Sequence, residues 1–160
     1  MIKRTLIAIA VALLVAATGC LESNESCSIV VSAMTASDMD SPQNESVVRV
    51  GLEQELVTVF AQTNVIGVHG EGQFYGVGVA AALDVNDIAL LGQPYFGYQV
   101  GVPTEDEDGG FHGPLLGTRY RVSDNVETGV EGWYRSFNGP LKAMDYVDQW
   151  KALVFVRYRF

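Results

Sequence analysis

The strongest constraint on this fold is a two-residue alternation of apolar and charged side chains, clearest in the last ten residues, KALVFVRYRF. The even positions there are apolar and end on Phe160, whereas the odd positions include Lys151, Arg157 and Arg159. A period of two places alternate residues on opposite faces of a strand. No segment of useful length has a helical period. The pattern therefore predicts an all-β protein whose strands have one apolar and one charged face.

The same alternation predicts six strands, separated by turns rich in Gly, Asn and Asp, over residues 46–60, 73–84, 88–102, 114–122, 126–137 and 151–160. The connections alternate long and short: 61–72, 85–87, 103–113, 123–125 and 138–150. That rhythm is typical of an antiparallel up-and-down meander closing into a small β-barrel.

The number of strands is too low for a closed membrane barrel, which normally has at least eight. Residues 28–35 offer a seventh strand. Three alternatives stay open at this stage: a hairpin not apparent in the pattern, an incorrect division of 46–60, or completion of the sheet by oligomerisation.

The N-terminus has the pattern of a secretory signal peptide over residues 1–19. Lys3 and Arg4 precede an apolar run from Leu6 to Thr18, which is too short for a spanning helix. Residues 17–20, Ala-Thr-Gly-Cys, resemble a lipobox, which implies cleavage before Cys20 and lipidation of that cysteine. The alternative is ordinary cleavage near Ala16 or Ala17. Residues 20–45 are then predicted to be a polar tether and residues 46–160 the barrel domain.

The two cysteines admit two interpretations. If Cys20 carries lipid, Cys27 has no second cysteine to pair with and is a single thiol in an oxidising compartment. If Cys20 is not lipidated, the two cysteines can close a small disulfide loop. Their spacing does not match a zinc site, and we expect no metal and no cofactor.

Charge excludes nucleic acid as a partner. Two of the ten basic residues lie in the signal peptide, so the exported chain keeps eight against 19 Asp and Glu, a net charge of −11. Nucleic-acid binding requires a basic surface instead. The acidic stretch 104–110 has carboxylate density without the spacing of a calcium loop, so we interpret it as a solvated loop.

The charged face of the predicted strands nearly balances its charges. It carries ten residues expected to form an interior salt-bridge network: Arg49, Glu53, Glu55, Arg119, Arg121, Glu127, Glu131, Arg135, Arg157 and Arg159. Buried charges must be paired, so we interpret the network as a structural plug. A narrow ion path, as in a porin-like protein, is the alternative.

Two architectures fit the separation of faces. In a soluble barrel the apolar face forms the core, which would suit a lipoprotein that binds an apolar ligand. In a membrane barrel the apolar face meets lipid. Glycines on the polar face favour the membrane version, because they leave room for Arg and Glu side chains in a narrow interior. So do apolar-face aromatics at the strand ends, which predict two girdles: Phe60, Tyr75, Tyr134 and Trp150 at one rim, and Tyr120, Tyr158 and Phe160 at the other.

The terminal strand, with Tyr158 and the final Phe160, resembles the closing strand of bacterial outer-membrane β-barrels such as the outer-membrane A and X proteins. The resemblance implies that these two aromatics act as an assembly signal read by the barrel-assembly machinery. It also implies location in the outer membrane and a structural or surface-interaction role. External loops at 61–72, 103–113 and 138–150 would contact lipopolysaccharide or another surface ligand.

A second resemblance covers about forty residues at the C-terminus. The stretch RYRVSDNVETGVEGWYRSFNGPLKAMDYVDQWKALVFVRYRF is similar to the end of lipid A deacylase-type acyloxyacyl hydrolases, where a penultimate strand ends in His-x-Ser-Asn followed by Gly. Asn138 and Gly139 match the Asn-Gly step. The His and Ser positions fall on Arg135 or Ser136 and on Phe137, so the catalytic pair is missing. The similarity implies a related scaffold without the activity.

Overall fold

The computed structural model describes residues 27–38, 44–67, 74–84, 92–103, 110–138 and 149–160. Eight antiparallel strands follow one another in a single closed barrel: β1 (Cys27–Asp38), β2 (Asn44–Gln54), β3 (Val57–Gly67), β4 (Phe74–Ala82), β5 (Gln93–Pro103), β6 (Gly110–Arg121), β7 (Val126–Asn138) and β8 (Gln149–Arg159). No helix within these ranges is long and apolar enough to cross a membrane.

The barrel closes by pairing its first and last strands. β1 and β8 pair from Val30 opposite Arg159 to Asp38 opposite Lys151. One further bond continues this seam: Phe160 N donates to Ile29 O at 2.9 Å. On the other side of β8, Asn125 Nδ2 donates to Arg159 O at 2.8 Å. The sheet therefore has no open edge along its strands, and a single chain completes it.

The predicted strand 46–60 was wrong, because the chain turns back within it. β2 ends at Gln54 and β3 begins at Val57, so Glu55 and Leu56 form a two-residue turn, with Glu55 at a φ of 50°. A positive φ is uncommon outside glycine, and residues 54–56 include no glycine or asparagine, so no local signal marks this turn. This hairpin, together with β1, supplies the two missing strands.

Other boundaries also differ from the prediction. β1 occupies residues that were assigned to the polar tether, and its alternation is hidden by small side chains. The connection predicted at 85–87 is longer, because β4 ends at Ala82 and β5 begins at Gln93. The turn predicted at 123–125 is present, with Val126 N donating to the Ser123 hydroxyl at 3.2 Å.

The two ends of the barrel are distinct. The turn end carries residues 55–56, 83–92 and 122–125, the start of β1 and the end of β8. The loop end carries the connections 39–43, 68–73, 104–109 and 139–148, which lie outside the described residues. The predicted loops at 61–72, 103–113 and 138–150 were too long, because β3 extends to Gly67, β6 begins at Gly110 and β8 begins at Gln149.

Candidate functional site

The apolar face of every strand points outward. Large hydrophobic side chains are exposed on all eight strands and just beyond their ends: Ile29, Val50, Val57, Val79, Leu83, Phe96, Tyr98, Val100, Leu116, Tyr120, Val122, Val130, Trp150, Val154, Val156, Tyr158 and Phe160. Soluble monomers rarely expose a continuous apolar surface of this kind. The soluble alternative placed the apolar face in a core, whereas in the structure that face lies on the outside.

Aromatic side chains mark both ends of this outer surface. Tyr134 and Trp150 lie together near the loop end, with ring centroids 5.0 Å apart. Tyr158 and Phe160 lie together at the turn end, at 4.7 Å. The assignment of Phe60 to a girdle was wrong: it is 1% exposed and points inward, because the turn after Gln54 reverses the parity of the faces.

A charged cluster occupies the middle of the interior. Arg49 forms a two-bond pair with Glu131, with Nη2–Oε1 at 2.7 Å and Nη1–Oε2 at 2.9 Å, and it also donates to Gln62. Tyr95 donates to Glu131 at 2.5 Å, and Trp133 donates its indole N–H to the same carboxylate. The carboxylate thus accepts from four donors, which compensates for its loss of water.

A second cluster fills the turn end of the interior. Glu53 accepts from Arg119 at 2.6 Å, from Arg159 at 2.5 Å and from Arg157. Glu127 lies 3.2 Å from Arg159 and 3.5 Å from Arg157. Arg119, Arg157 and Arg159 therefore share the carboxylates of Glu53 and Glu127.

The loop end of the interior is closed by aromatic rings. The rings of Phe74, Phe111 and Phe137 form a cluster with centroids 5.6 to 6.4 Å apart. Arg135 lies against Phe111 and Trp133, with its guanidinium carbon 4.7 Å from each ring centroid. Such cation–π contacts stabilise a guanidinium away from water.

The structure places eight of the ten predicted network residues inside the barrel. Glu55 and Arg121 are the exceptions, and both are exposed. Glu55 lies in the β2–β3 turn rather than in a strand, and Arg121 is the last residue of β6, at the rim. The lipidation predicted at Cys20 falls outside the described residues. Cys27 is disulfide-bonded, and its partner also lies outside them.

Sequence reasoning missed much of the interior. Lys151 was assigned to the charged face with Arg157 but left out of the predicted network, and it is buried. The apolar interior residues had no such signal, because a polar interior was expected: Met34, Val47, Phe60, Leu115, Trp133, Leu153 and Phe155.

The interior glycines make room for aromatic rings rather than for charged side chains. A β-carbon at Gly117 would lie 2.6 Å from Tyr95, and one at Gly129 would lie 2.7 Å from Phe155. Gly78 and Gly101 are covered in the same way by Phe60 and Phe111. Aromatic rings packed on strand glycines are a known device for stabilising sheets.

These packed rings leave little open space inside the described part of the barrel. The cavity between the middle cluster and the turn-end cluster has a volume of about 30 Å³. This is enough for about two water molecules, because one needs roughly 10–15 Å³. It is far below the several hundred Å³ of a small-molecule pocket, so an apolar ligand does not fit there.

The residues aligned with the His and Ser of the deacylase motif lie on different faces of the barrel. Arg135 and Phe137 are buried inside, whereas Ser136 and His112 lie on the outer face of adjacent strands, directly opposite each other. His112 Nδ1 lies 2.6 Å from the hydroxyl of Tyr98. The strand register therefore brings together a His and a Ser that the sequence alone did not pair.

No protein-family model and no curated protein matches this chain. Its fold does match solved structures. One is a solution structure of the de novo designed barrel TMB2.3, with a TM-score of 0.62 and 15% identity over 86% of this chain and 98% of the design. A second, from the de novo design of transmembrane β-barrels, has a TM-score of 0.53 and 18% identity over 83% and 95% of the two chains.

A natural protein shares the same architecture. The crystal structure of Neisserial surface protein A has a TM-score of 0.50 and 16% identity, covering 84% of this chain and 96% of that protein. Identities this low show the fold alone. The chain therefore has the fold of a small, eight-stranded, transmembrane-type β-barrel.

Proposed function

We propose that this protein is an integral outer-membrane barrel with a closed interior, and that it has a structural or surface-interaction role. The observation that carries the proposal is the continuous apolar outer surface, which includes exposed large hydrophobic side chains from all eight strands. Only a hydrocarbon environment makes such a surface favourable. The aromatic pairs at its two ends suit the two membrane interfaces.

The packed interior supports a structural role over a channel. Arg49 and Glu131 cross the middle, and Phe74, Phe111 and Phe137 close the loop end. An ion entering from either side would have to displace these packed side chains, since eight-stranded barrels have interiors just wide enough to be filled by side chains. We therefore propose a plug rather than an ion path.

The proposed orientation places the turn end in the periplasm and the loop end outside the cell. Short turns belong on the periplasmic side of outer-membrane barrels, and longer connections on the external side. Contacts with lipopolysaccharide or another surface ligand would then involve the connections 39–43, 68–73, 104–109 and 139–148. Assembly through Tyr158 and Phe160 by the barrel-assembly machinery is part of the same proposal.

Heat-modifiability tests the membrane barrel directly. The full chain, folded in detergent, is run on a gel with and without boiling, beside a variant with Val130→Arg and Val154→Arg on the outer surface. We expect the folded protein to change mobility on boiling and to remain in washed outer-membrane fractions. Recovery of a folded, soluble protein without detergent would contradict the proposal.

Conductance across a planar bilayer tests the plug separately. We expect the inserted barrel to show no steady current, and Arg49→Ala combined with Trp133→Ala to raise the leak by opening the middle of the interior. A steady current through the unchanged protein would favour the ion path instead, without affecting the membrane location.

One observation favours a second candidate function, a lipid A deacylase-like activity. His112, bonded to Tyr98, lies opposite Ser136 on the outer face near the loop end, where acyl chains would be accessible. A histidine held by a third group beside a hydroxyl is the arrangement that activates a serine. Mass spectrometry of lipid A from cells expressing the protein or its His112→Ala variant tests this, and identical acyl chains in both would exclude it.

A further inference from the structure

The interior cavity between the two charged clusters has an unusual lining. Its 30 Å³ volume is bounded by Arg49, Arg119 and Arg157 and by Ser32 and Thr58, together with Tyr95 and apolar side chains. No carboxylate of the described residues lines it. Three of the residues around the cavity are therefore basic and none is acidic.

The strand register builds this lining. Ser32 on β1 lies directly opposite Arg49 on β2 and directly opposite Arg157 on β8. All three point inward and are buried, with Arg157 only 8% exposed. Ser32 thus lies between Arg49 and Arg157 on the neighbouring strands, at the same height in the barrel.

The arginines around the cavity retain unused donors. Arg157 donates one side-chain hydrogen bond, to Glu53, and its buried Nε lies 3.5 Å from Glu127 Oε2 without a hydrogen bond in the described structure. Arg119 donates two, to Gln93 and Glu53. A guanidinium has five N–H donors, so both side chains can donate to a ligand without losing their present bonds.

The charge balance of the two clusters also favours an anion. Within the described residues, four arginines (Arg49, Arg119, Arg157 and Arg159) face three glutamates (Glu53, Glu127 and Glu131), an excess of one positive charge. An uncompensated charge in a water-poor interior is costly. One monovalent anion in the cavity would neutralise the excess.

We propose that this cavity is a binding site for one small dehydrated halide, such as chloride. The site is large enough for a monatomic anion and too small for phosphate or a carboxylate ligand with its substituents. The guanidinium N–H groups of Arg119 and Arg157 that do not bond to Glu53 donate to the anion, and the Ser32 hydroxyl completes the shell. The halide then stabilises the folded barrel because it binds the native interior and not the unfolded chain.

Bromide is the probe for the site itself. Crystals of the full chain grown in detergent with bromide, and measured at the bromine absorption edge, are expected to show one anomalous peak between Arg49, Arg119 and Arg157. Ordered water without an anomalous peak at this position would overturn the proposal.

Thermal unfolding in detergent tests the consequence in solution. At constant ionic strength, replacing gluconate by chloride or bromide is expected to raise the midpoint temperature by about 5 °C, and the effect should saturate. A midpoint that does not depend on the anion would overturn the proposal.

Two variants show whether the effect belongs to this cavity. Arg157→Gln and the cavity-filling Ala82→Val are both expected to abolish the dependence on halide. Lys151→Gln is the matched control: it removes one buried positive charge from the same strand, away from the cavity, and should keep the dependence. Loss of the dependence in Lys151→Gln, or its retention in Arg157→Gln and Ala82→Val, would overturn the proposal.

Discussion

Arg49 and Glu131 lie 82 positions apart in the chain and meet across the barrel interior through two charge-assisted hydrogen bonds of 2.7 and 2.9 Å. The pair joins β2 to β7, two strands that are not neighbours in the sheet. It therefore connects opposite parts of the barrel across the interior, whereas the backbone hydrogen bonds connect only adjacent strands.

Removing the carboxylate charge of this pair should be strongly destabilising. We expect Glu131→Gln to lower the free energy of unfolding by about 3–5 kcal/mol, because Arg49 remains buried without its counter-charge. Urea unfolding in lipid vesicles, followed by tryptophan fluorescence, measures the change. Glu55→Gln, in the exposed β2–β3 turn, is the control and should change stability by less than about 0.5 kcal/mol.

Two positions on β8 compare the inner and outer faces. Arg157→Ala should destabilise the protein by about 3 kcal/mol, because it removes a buried hydrogen bond to Glu53 and leaves a cavity inside the barrel. Val154→Ala should cost less than about 1 kcal/mol, since Val154 is 62% exposed on the outer surface and its truncation leaves no internal cavity. Equal shifts in the melting temperature of the two variants would argue against an inward charge network.

The position of an outward-facing charge along the barrel axis should determine how much it lowers the free energy of unfolding. Val130→Arg, in the middle of the outer surface, is expected to destabilise the inserted barrel by about 2–4 kcal/mol, whereas Val122→Arg, in the turn after β6, should cost about 0–1 kcal/mol. The two are compared by reversible unfolding from vesicles. A similar cost at both positions would contradict a lipid-facing band.

Two glycines of β7 should respond differently to the same added methyl group. A β-carbon at Gly129 would clash with the backbone oxygen of Thr118 and lie 2.7 Å from the Phe155 ring, whereas one at Gly132 meets its nearest atom at 3.8 Å. We expect Gly129→Ala to cost about 1–3 kcal/mol or to prevent folding, and Gly132→Ala to be tolerated. The fraction of heat-modifiable protein on a gel gives the comparison.

The state of the cysteines separates the two interpretations of the N-terminus. Because Cys27 is disulfide-bonded, we expect the exported protein to react with a maleimide only after reduction. Intact mass and thiol labelling of the denatured protein are the measurements. One free thiol, together with the added mass of acyl chains, would establish lipidation of Cys20 instead.

The sequence predicted the barrel class and most interior charges, because alternation is a local property. Val154, Arg157 and Tyr158 have the orientation that period-two reasoning assigned to them. The β2–β3 hairpin was missed because Gln54, Glu55 and Leu56 contain no glycine, proline or asparagine, so the turn depends on tertiary pairing rather than on local preference.

The composition of the interior was not predictable in the same way. Trp133 and Phe155 lie on the face that carries Glu131 and Arg157, and a face with both kinds of residue does not fit a simple polar or apolar pattern. Which charge pairs with which depends on contacts across the barrel, such as that between Glu53 and Arg119. These distances depend on strand number and register, which the pattern left open.

The seam between β1 and β8 has a consequence for the order of assembly. Since β8 is the last strand of the barrel in chain order, every other hairpin can form while the barrel is still an open, curved sheet. Until β8 docks, both β1 and the far edge present unpaired backbone groups to any other chain nearby. Pairing of β8 with β1 is therefore the step that removes the exposed strand edges. The rate of this step determines how long the folding barrel can pair wrongly with other chains.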